Sequence, residues 1–238
     1  MGYLVDRKVE PGGREQVDLP LRPALAMEGV ASAADGQLLL HDLVLDVPSG
    51  STIVLTGPGL PGRRRLLELL SGLRQPDAGL VALGGVDQRD LTASDRARHV
   101  MFVTRPALFA GTVFENLTMG DAGLAKPAAS EALRAVGLGH ERLPQGADMV
   151  LRAEGPPLNA GERVLLVLAR AMVAKPVLLL LDGTPDGLPD HVLQTACAVL
   201  TRAERPRTLV VASNDDRVLR LFGYVKVLRG GRLEEGTA

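Results

Sequence analysis

Cysteine is nearly absent: Cys197 is the one thiol in 238 residues. That excludes a disulfide framework and a cysteine-built metal site. Tryptophan is missing, and two Tyr with four Phe complete the aromatics, so a platform for stacking sugars or bases is excluded. Neither sign of charge dominates. With 27 basic against 28 acidic residues, the chain has no global reason to bind nucleic acid or an anionic membrane. No apolar run reaches the roughly 20 residues of a membrane span. The nearest, Arg163 to Asp182, is interrupted by Arg170, Lys175 and Pro176 and reads as a buried helix, a break and a buried strand. The start carries no secretory signal; Met1 to Pro23 is polar, holds Pro11, Gly12, Gly13, Pro20 and Pro23, and reads as a linker.

Apolar residues make up 46%, enough for a core and too many for disorder throughout. Strands are expected at Leu38–Val47, Thr52–Thr56, Val100–Thr104, Val177–Leu181 and Thr208–Ala212, with a closing hairpin from Tyr224 to Leu228 and from Arg232 onward. Helices are expected at Arg65–Leu73, Arg163–Ala174 and Val192–Ala203, and a string of short helices over residues 112–145. Strands alternating with helices imply an α/β domain with a mostly parallel sheet.

The chemistry-bearing segment is Gly57-Pro58-Gly59-Leu60-Pro61-Gly62-Arg63-Arg64. It follows a strand and opens a helix, as a phosphate loop of pattern G-x-x-x-x-G-K-[ST] does. Both bracketing glycines are present, while Arg63 replaces the lysine and Arg64 the hydroxyl. A nest of backbone N–H groups at a helix N-terminus holds anions without side chains. Pro61 removes one such donor, and Leu60 stands where a glycine would allow positive φ. Arg63, Arg64 and Arg65 in a first helical turn oppose the dipole. Two readings stand: capture of phosphate or another polyanion, or a solvated arginine cluster.

From about residue 25 onward, the order of segments resembles the nucleotide-binding domain of ABC transporters. Leu66–Leu73, Pro76–Gly79 and Gly84–Leu91 look like the segment after the phosphate loop. Pro106–Val113 with Glu115-Asn116 looks like the exporter form of the stretch after the Q-loop. Leu158-Asn-Ala-Gly-Glu162 sits where the LSGGQ signature belongs. Ala169–Met172 and Val177–Asp182 look like the signature helix and Walker B strand, and Gly230–Gly236 like the closing hairpin. The resemblance implies a P-loop NTPase fold of the ABC type. Its mostly parallel core sheet would carry an antiparallel β subdomain and a helical subdomain at about residues 110–160. Residues 24–238 would form the domain, and 1–23 a tail following a membrane domain or a free extension.

The resemblance implies a binding set of Gly57, Gly59, Gly62, Arg63, Arg64, Arg65, Thr104, Asp182, Asn159 and Gly161, with Asp182 as a weak metal ligand. It implies departures too. The adenine-stacking aromatic falls at Ala34 and the Q-loop glutamine at Thr104. The catalytic glutamate falls at Gly183, the D-loop aspartate at Pro189 with Asp190 one place late, and the switch histidine at Asn214. No catalytic residue is therefore assigned. Asp182 as metal ligand stands beside Asp182 as a cap to its strand. Asn159 with Glu162 matches a helix capping box, beside a ligand-facing role. His41, His99, His140 and His191 match no ligand position, and Cys197 reads as a small core residue.

The expectation is a degenerate ABC nucleotide-binding domain that acts as a structural or regulatory partner of an ATP-driven exporter. It would bind ATP weakly or not at all, with the role of Mg²⁺ open. Its partners would be a membrane domain, touched through the Met149–Gly155 stretch, and a catalytically competent ABC subunit in a heterodimer; nucleic acid would not be among them. It would sit at the cytoplasmic face of the membrane. Two alternatives stand beside it: a working ATPase with unusual residues, and a repurposed scaffold for another anion.

Overall fold

The computed structural model describes residues 25–121, 123–152, 158–201, 207–222 and 224–236. The expected linker at 1–23 and residues 153–155 of the expected membrane-domain contact lie outside these described residues. Along the chain run β1 (Leu25–Ala34), β2 (Gln37–Val47), β3 (Thr52–Thr56), α1 (Leu60–Leu70), β4 (Ala78–Leu83), β5 (Val86–Asp87), α2 (Ala93–His99) and β6 (Val100–Val103). Then follow β7 (Gly111–Thr112), α3 (Val113–Thr118), α4 (Lys126–Ala135), a single 3₁₀ turn (Gly146–Asp148), β8 (Val150–Leu151) and α5 (Ala160–Ala174). The last elements are β9 (Leu178–Asp182), α6 (Asp190–Thr201), β10 (Thr208–Ala212), α7 (Asp216–Leu221), β11 (Val225–Arg229) and β12 (Arg232–Gly236).

The central sheet has strand order β12-β11-β3-β10-β9-β6. It is parallel from β11 to β6, and β12 closes one edge antiparallel to β11. A separate antiparallel sheet, β2-β1-β4-β5, covers one face. The alternation of side chains along each strand divides the core. Leu178, Leu180, Val210 and Ala212 face the antiparallel sheet and α1. Leu179, Leu181, Leu209 and Val211 face α3–α6. Strands buried on both faces read as unbroken apolar runs, as Leu178–Leu181 does.

One helix departs from expectation. The glycine-rich segment suggests loop through residue 64, but α1 begins at Leu60, with Gly59 as its cap and Pro61 in its first turn. Proline is tolerated there because its missing N–H has no helical partner. The Arg63 N–H closes the first turn on the Gly59 carbonyl at 2.9 Å. Leu60 is therefore helical and needs no positive φ. At the other end, the Ser71 N–H bonds the Leu67 carbonyl, and the helix closes at Leu70, three residues before the expected Leu73, with Gly72 at φ +72° beyond it.

Candidate functional site

The phosphate loop hangs between the end of β3 and the start of α1, at the carboxyl edge of the parallel strands. Gly57 is required there. Its φ is +132°, and a Cβ would lie 2.2 Å from the Leu228 carbonyl oxygen of β11. The loop is thus held against the sheet by a contact that only glycine permits.

Arg63 contradicts the reading of a solvated arginine cluster. It is only 5% exposed. Its Nη1 donates to Asn214 Oδ1 at 2.8 Å, while its buried Nε has no partner. The same Asn214 oxygen accepts from the Thr56 hydroxyl at 2.9 Å and from the Gly57 N–H at 3.3 Å. Asn214, in the loop after β10, therefore ties the end of β3, the first loop residue and the first helical turn to one atom. A buried guanidinium requires partners, and this amide supplies one.

Arg64 points elsewhere. Its Nη1 lies 3.5 Å from Asp182 Oδ2 at the end of β9, and its Nε lies 3.3 Å from Glu68 one helical turn on. Burial pushes the Asp182 carboxyl above its ordinary value, and the guanidinium groups of Arg64 and Arg63 pull against that rise. Asp182 is thus neither a bare strand cap nor a free ligand, because a cation of its own chain already faces it. Thr104 follows β6, whose last pair is Val103 with Leu181, so Thr104 and Asp182 leave neighbouring strands side by side.

Arg65 turns away from both. With Ala33, Ala34 and Asp35 at the β1–β2 hairpin and Arg74, Gln75 and Asp77 after α1, it lines an open groove of about 560 Å³. Ala34 thus shares this groove with Arg65 of α1 and carries no ring. Gly183, next to Asp182, has φ +61°, and its N–H donates to the Ala212 carbonyl at 2.8 Å. Asp186 lies beside it and accepts from the Ser213 hydroxyl. Pro189 precedes α6, and Asp190 opens that helix, where it accepts from Arg217 Nη1 at 2.6 Å. Arg217 also holds Asp215, whose carboxyl stays well below the usual range because of that guanidinium.

Asn159 and Gly161 belong to a second cluster at the N-terminus of α5. The Asn159 Oδ1 accepts from the Glu162 N–H at 2.9 Å, and Glu162 Oε2 accepts from the Asn159 N–H at 2.8 Å. The capping box expected from the sequence is therefore formed. Glu162 is also gripped by Arg142, with Nη2 2.7 Å from Oε2. That hydrogen-bonded guanidinium holds the carboxyl below its ordinary value. A Cβ on Gly161 would lie 3.2 Å from Val192 of α6, so the turn packs closely there. Away from both clusters, Gly111–Thr112 pairs with Val150–Leu151, and fully buried Asn116 staples Phe109 and Thr112 to α3.

Sequence reasoning missed Arg142 and the gathering role of Asn214. Neither has a local signal: Arg142 lies 20 positions from Glu162, and Asn214 lies 151 from Arg63. Glu68 was legible, since carboxylate and arginine four apart share a helix face.

Comparison with known proteins places this geometry. Residues 40–184 match the family described as ABC transporter. The chain is 29% identical over 99% of its length to the mycobactin import ATP-binding/permease protein IrtB of Mycolicibacterium thermoresistibile, and covers 41% of it. It is 36% identical over 84% of its length to the related IrtA of Mycolicibacterium smegmatis, and covers 24% of that protein. Among solved structures, a bacterial Atm1-family ABC exporter with ATP bound superposes with a TM-score of 0.82 at 24% identity, covering 92% of this chain and 40% of the other. The chain thus spans about two fifths or less of these relatives.

ABC domains bind ATP, typically with Mg²⁺. The phosphate-loop glycines and backbone suit the phosphates. The metal is another matter. Mg²⁺ requires oxygen ligands in near-octahedral array. Here the loop hydroxyl is replaced by Arg64, whose guanidinium faces the remaining carboxylate, Asp182. Among the described residues no group of three or more His, Cys, Asp or Glu could hold a metal ion. The residues present do not fit a divalent metal at this position.

Proposed function

The chain belongs to the ABC transporter family, as an ATP-binding domain with exporter-type relatives, and from that premise we propose that it is a degenerate member that regulates or completes a transporter rather than powering it. Its own phosphate-loop site binds ATP weakly and does not turn it over efficiently. The observation that carries this reading is that the site's acceptor side chains are already engaged by other groups of the same chain. Asn214 is occupied by Thr56, Gly57 and Arg63, and Asp182 faces Arg64. Phosphoryl transfer depends on positioned groups that orient water and neutralise charge. Gly183 supplies no carboxylate, and Asn214 supplies its oxygen inward.

A homodimer would contain this site twice. The proposed partner is a catalytically competent ABC subunit, whose phosphate loop would meet Asn159 and Gly161 of this chain. There the capped N-terminus of α5 favours anions. The proposed setting is the cytoplasmic face of a membrane, against the membrane domain of an exporter-type transporter. Among the described residues no helix is long and apolar enough to cross a membrane. Exporter-type names the arrangement and not the direction, since two relatives are named for import.

The test is co-purification with a candidate ABC partner subunit from the same organism, with phosphate release as readout. The complex is expected to hydrolyse ATP and to lose at least about tenfold with Gly161→Asp in this chain, while Asp182→Ala has little effect. An unchanged rate with Gly161→Asp refutes the shared site. Ordinary turnover by this chain alone, abolished by Asp182→Ala, would instead establish it as a working ATPase with unusual residues.

A further inference from the structure

The chain places a cation of its own, Arg64, at the hydroxyl position of the phosphate-loop pattern and opposite Asp182. Resting on the reading above, we infer that the Arg64 guanidinium permanently replaces the divalent metal, so that the phosphate-loop site takes a polyphosphate tail as the metal-free anion.

Three observations meet at this point. Arg64 Nη1 stands 3.5 Å from Asp182 Oδ2, and the Arg64 side chain remains 52% exposed, so the cation is positioned by the protein yet reachable by a ligand. Arg63, buried to 5% exposure, carries an Nε with no partner, while its Nη1 leans on the same Asn214 oxygen that accepts from the first loop residue. Arg63 thus keeps one buried N–H without an acceptor. Arg64 also carries a fixed charge on a planar fork that matches phosphate oxygens.

Charge decides against a metal in the same place. A dication about 4 Å from the guanidinium is repelled by roughly thirtyfold in affinity even at the dielectric of water, and by more in a half-buried cleft. Asp182 cannot answer for both cations. Magnesium should therefore weaken polyphosphate binding here by chelating the ligand, the reverse of its effect at a metal-using phosphate loop. The groove beside Ala34 offers no aromatic face, so affinity should follow the phosphates rather than the base.

The experiment is calorimetric titration of the 238-residue chain with tripolyphosphate and with ATP, each in excess chelator and in millimolar Mg²⁺. Binding in chelator is expected to equal or exceed binding in Mg²⁺, with the two ligands within about threefold of each other. Arg64→Thr, which restores a hydroxyl and removes the cation, should reverse the order and make Mg²⁺ favourable by about tenfold. Arg64→Gln, neutral and of similar length, should lose about tenfold in chelator, the size of one charge-assisted contact, and less in Mg²⁺, because the charge that repels the metal is gone. A wild-type requirement for Mg²⁺, no binding in either condition, or an Arg64→Thr variant still indifferent to the metal overturns the inference. None of these touches the Gly161→Asp result in the complex, so the shared-site proposal stands or falls separately.

Discussion

Glu162 separates a structural from a ligand-facing account of the segment Leu158–Glu162. Replacing it by alanine removes the acceptor for the Asn159 N–H at 2.8 Å and the partner of Arg142. The first loss is worth about 0.5–1.5 kcal/mol, the net value of a hydrogen bond. The second adds only a little, because the Arg142 side chain is 48% exposed and the pair is screened. Together they predict about 1 kcal/mol, or roughly 2–4 °C in Tm for a chain of this size. Glu162→Gln keeps an oxygen to cap α5 and forfeits only the charge, so it should cost less than half as much.

The pH dependence has a definite sign. The Arg142 hydrogen bond holds the Glu162 carboxyl below its ordinary value of 4.5. Its contribution is therefore complete above about pH 4.5 and fades as acid protonates it in the folded state. The Tm difference between wild type and Glu162→Gln should shrink below that pH. Thermal unfolding from neutral pH to pH 3 reads both effects. Equal loss for the glutamine and alanine variants would show that charge, not capping, is what the residue supplies. No loss for alanine would refute the capping account altogether.

Three further outcomes follow from the phosphate loop and its neighbours. Gly57→Ala should cost about 2–4 kcal/mol in urea unfolding, since a Cβ meets the Leu228 carbonyl oxygen at 2.2 Å and φ is +132°; a cost below 1 kcal/mol would show that the loop moves freely off β11. Gly183→Glu should restore no phosphate release and should itself cost roughly 1–2 kcal/mol, because φ there is +61°; ordinary turnover by that single variant would refute the claim that Arg64 and Asn214 also bar hydrolysis. Asn214→His should destabilise by about 1–3 kcal/mol, as one ring nitrogen cannot accept the three hydrogen bonds that Oδ1 takes and Arg63 is left buried without its acceptor; Arg63→Lys in the same chain should recover part of that loss, and a strictly additive double variant would show that the two residues are not coupled.

What the sequence made legible follows the range of the interactions. β3 and β10 lie at the expected Thr52–Thr56 and Thr208–Ala212, because each is a compact apolar run between breakers. The Asn159–Glu162 cap was readable three residues apart. β1 was not foreseen: its stretch LAMEGVASAA is rich in small residues, and register shifts after Met27, Val30 and Ser32 break the period of two. α2 escaped notice although Thr92 and Asp95 form its cap, since its seven residues bury no apolar face. At the site, the identities of Arg63, Arg64, Gly183 and Asn214 were plain. Their pairing was not, for each contact joins loops brought together only by the order of strands in the parallel sheet.

That pairing bears on how the altered residues relate to one another. Taken singly, each of these residues lacks a group that the resemblance implies: a hydroxyl, a carboxylate, an imidazole. Taken together, two of them are complementary. Arg63 brings a buried charge that requires an acceptor, and Asn214 is the acceptor; Arg64 brings a cation, and Asp182 faces it. A buried arginine without an acceptor costs several kcal/mol. Arg63 and Asn214 are thus expected to persist or revert as a pair, and reverting one alone should cost stability before it gains chemistry. The α5 terminus depends on neither. Its cap closes locally and its charge is answered by Arg142, so the signature surface can keep its shape whatever occupies the phosphate loop. On the proposed reading, a chain whose own site is altered in this way can still present an intact helix terminus to a competent partner.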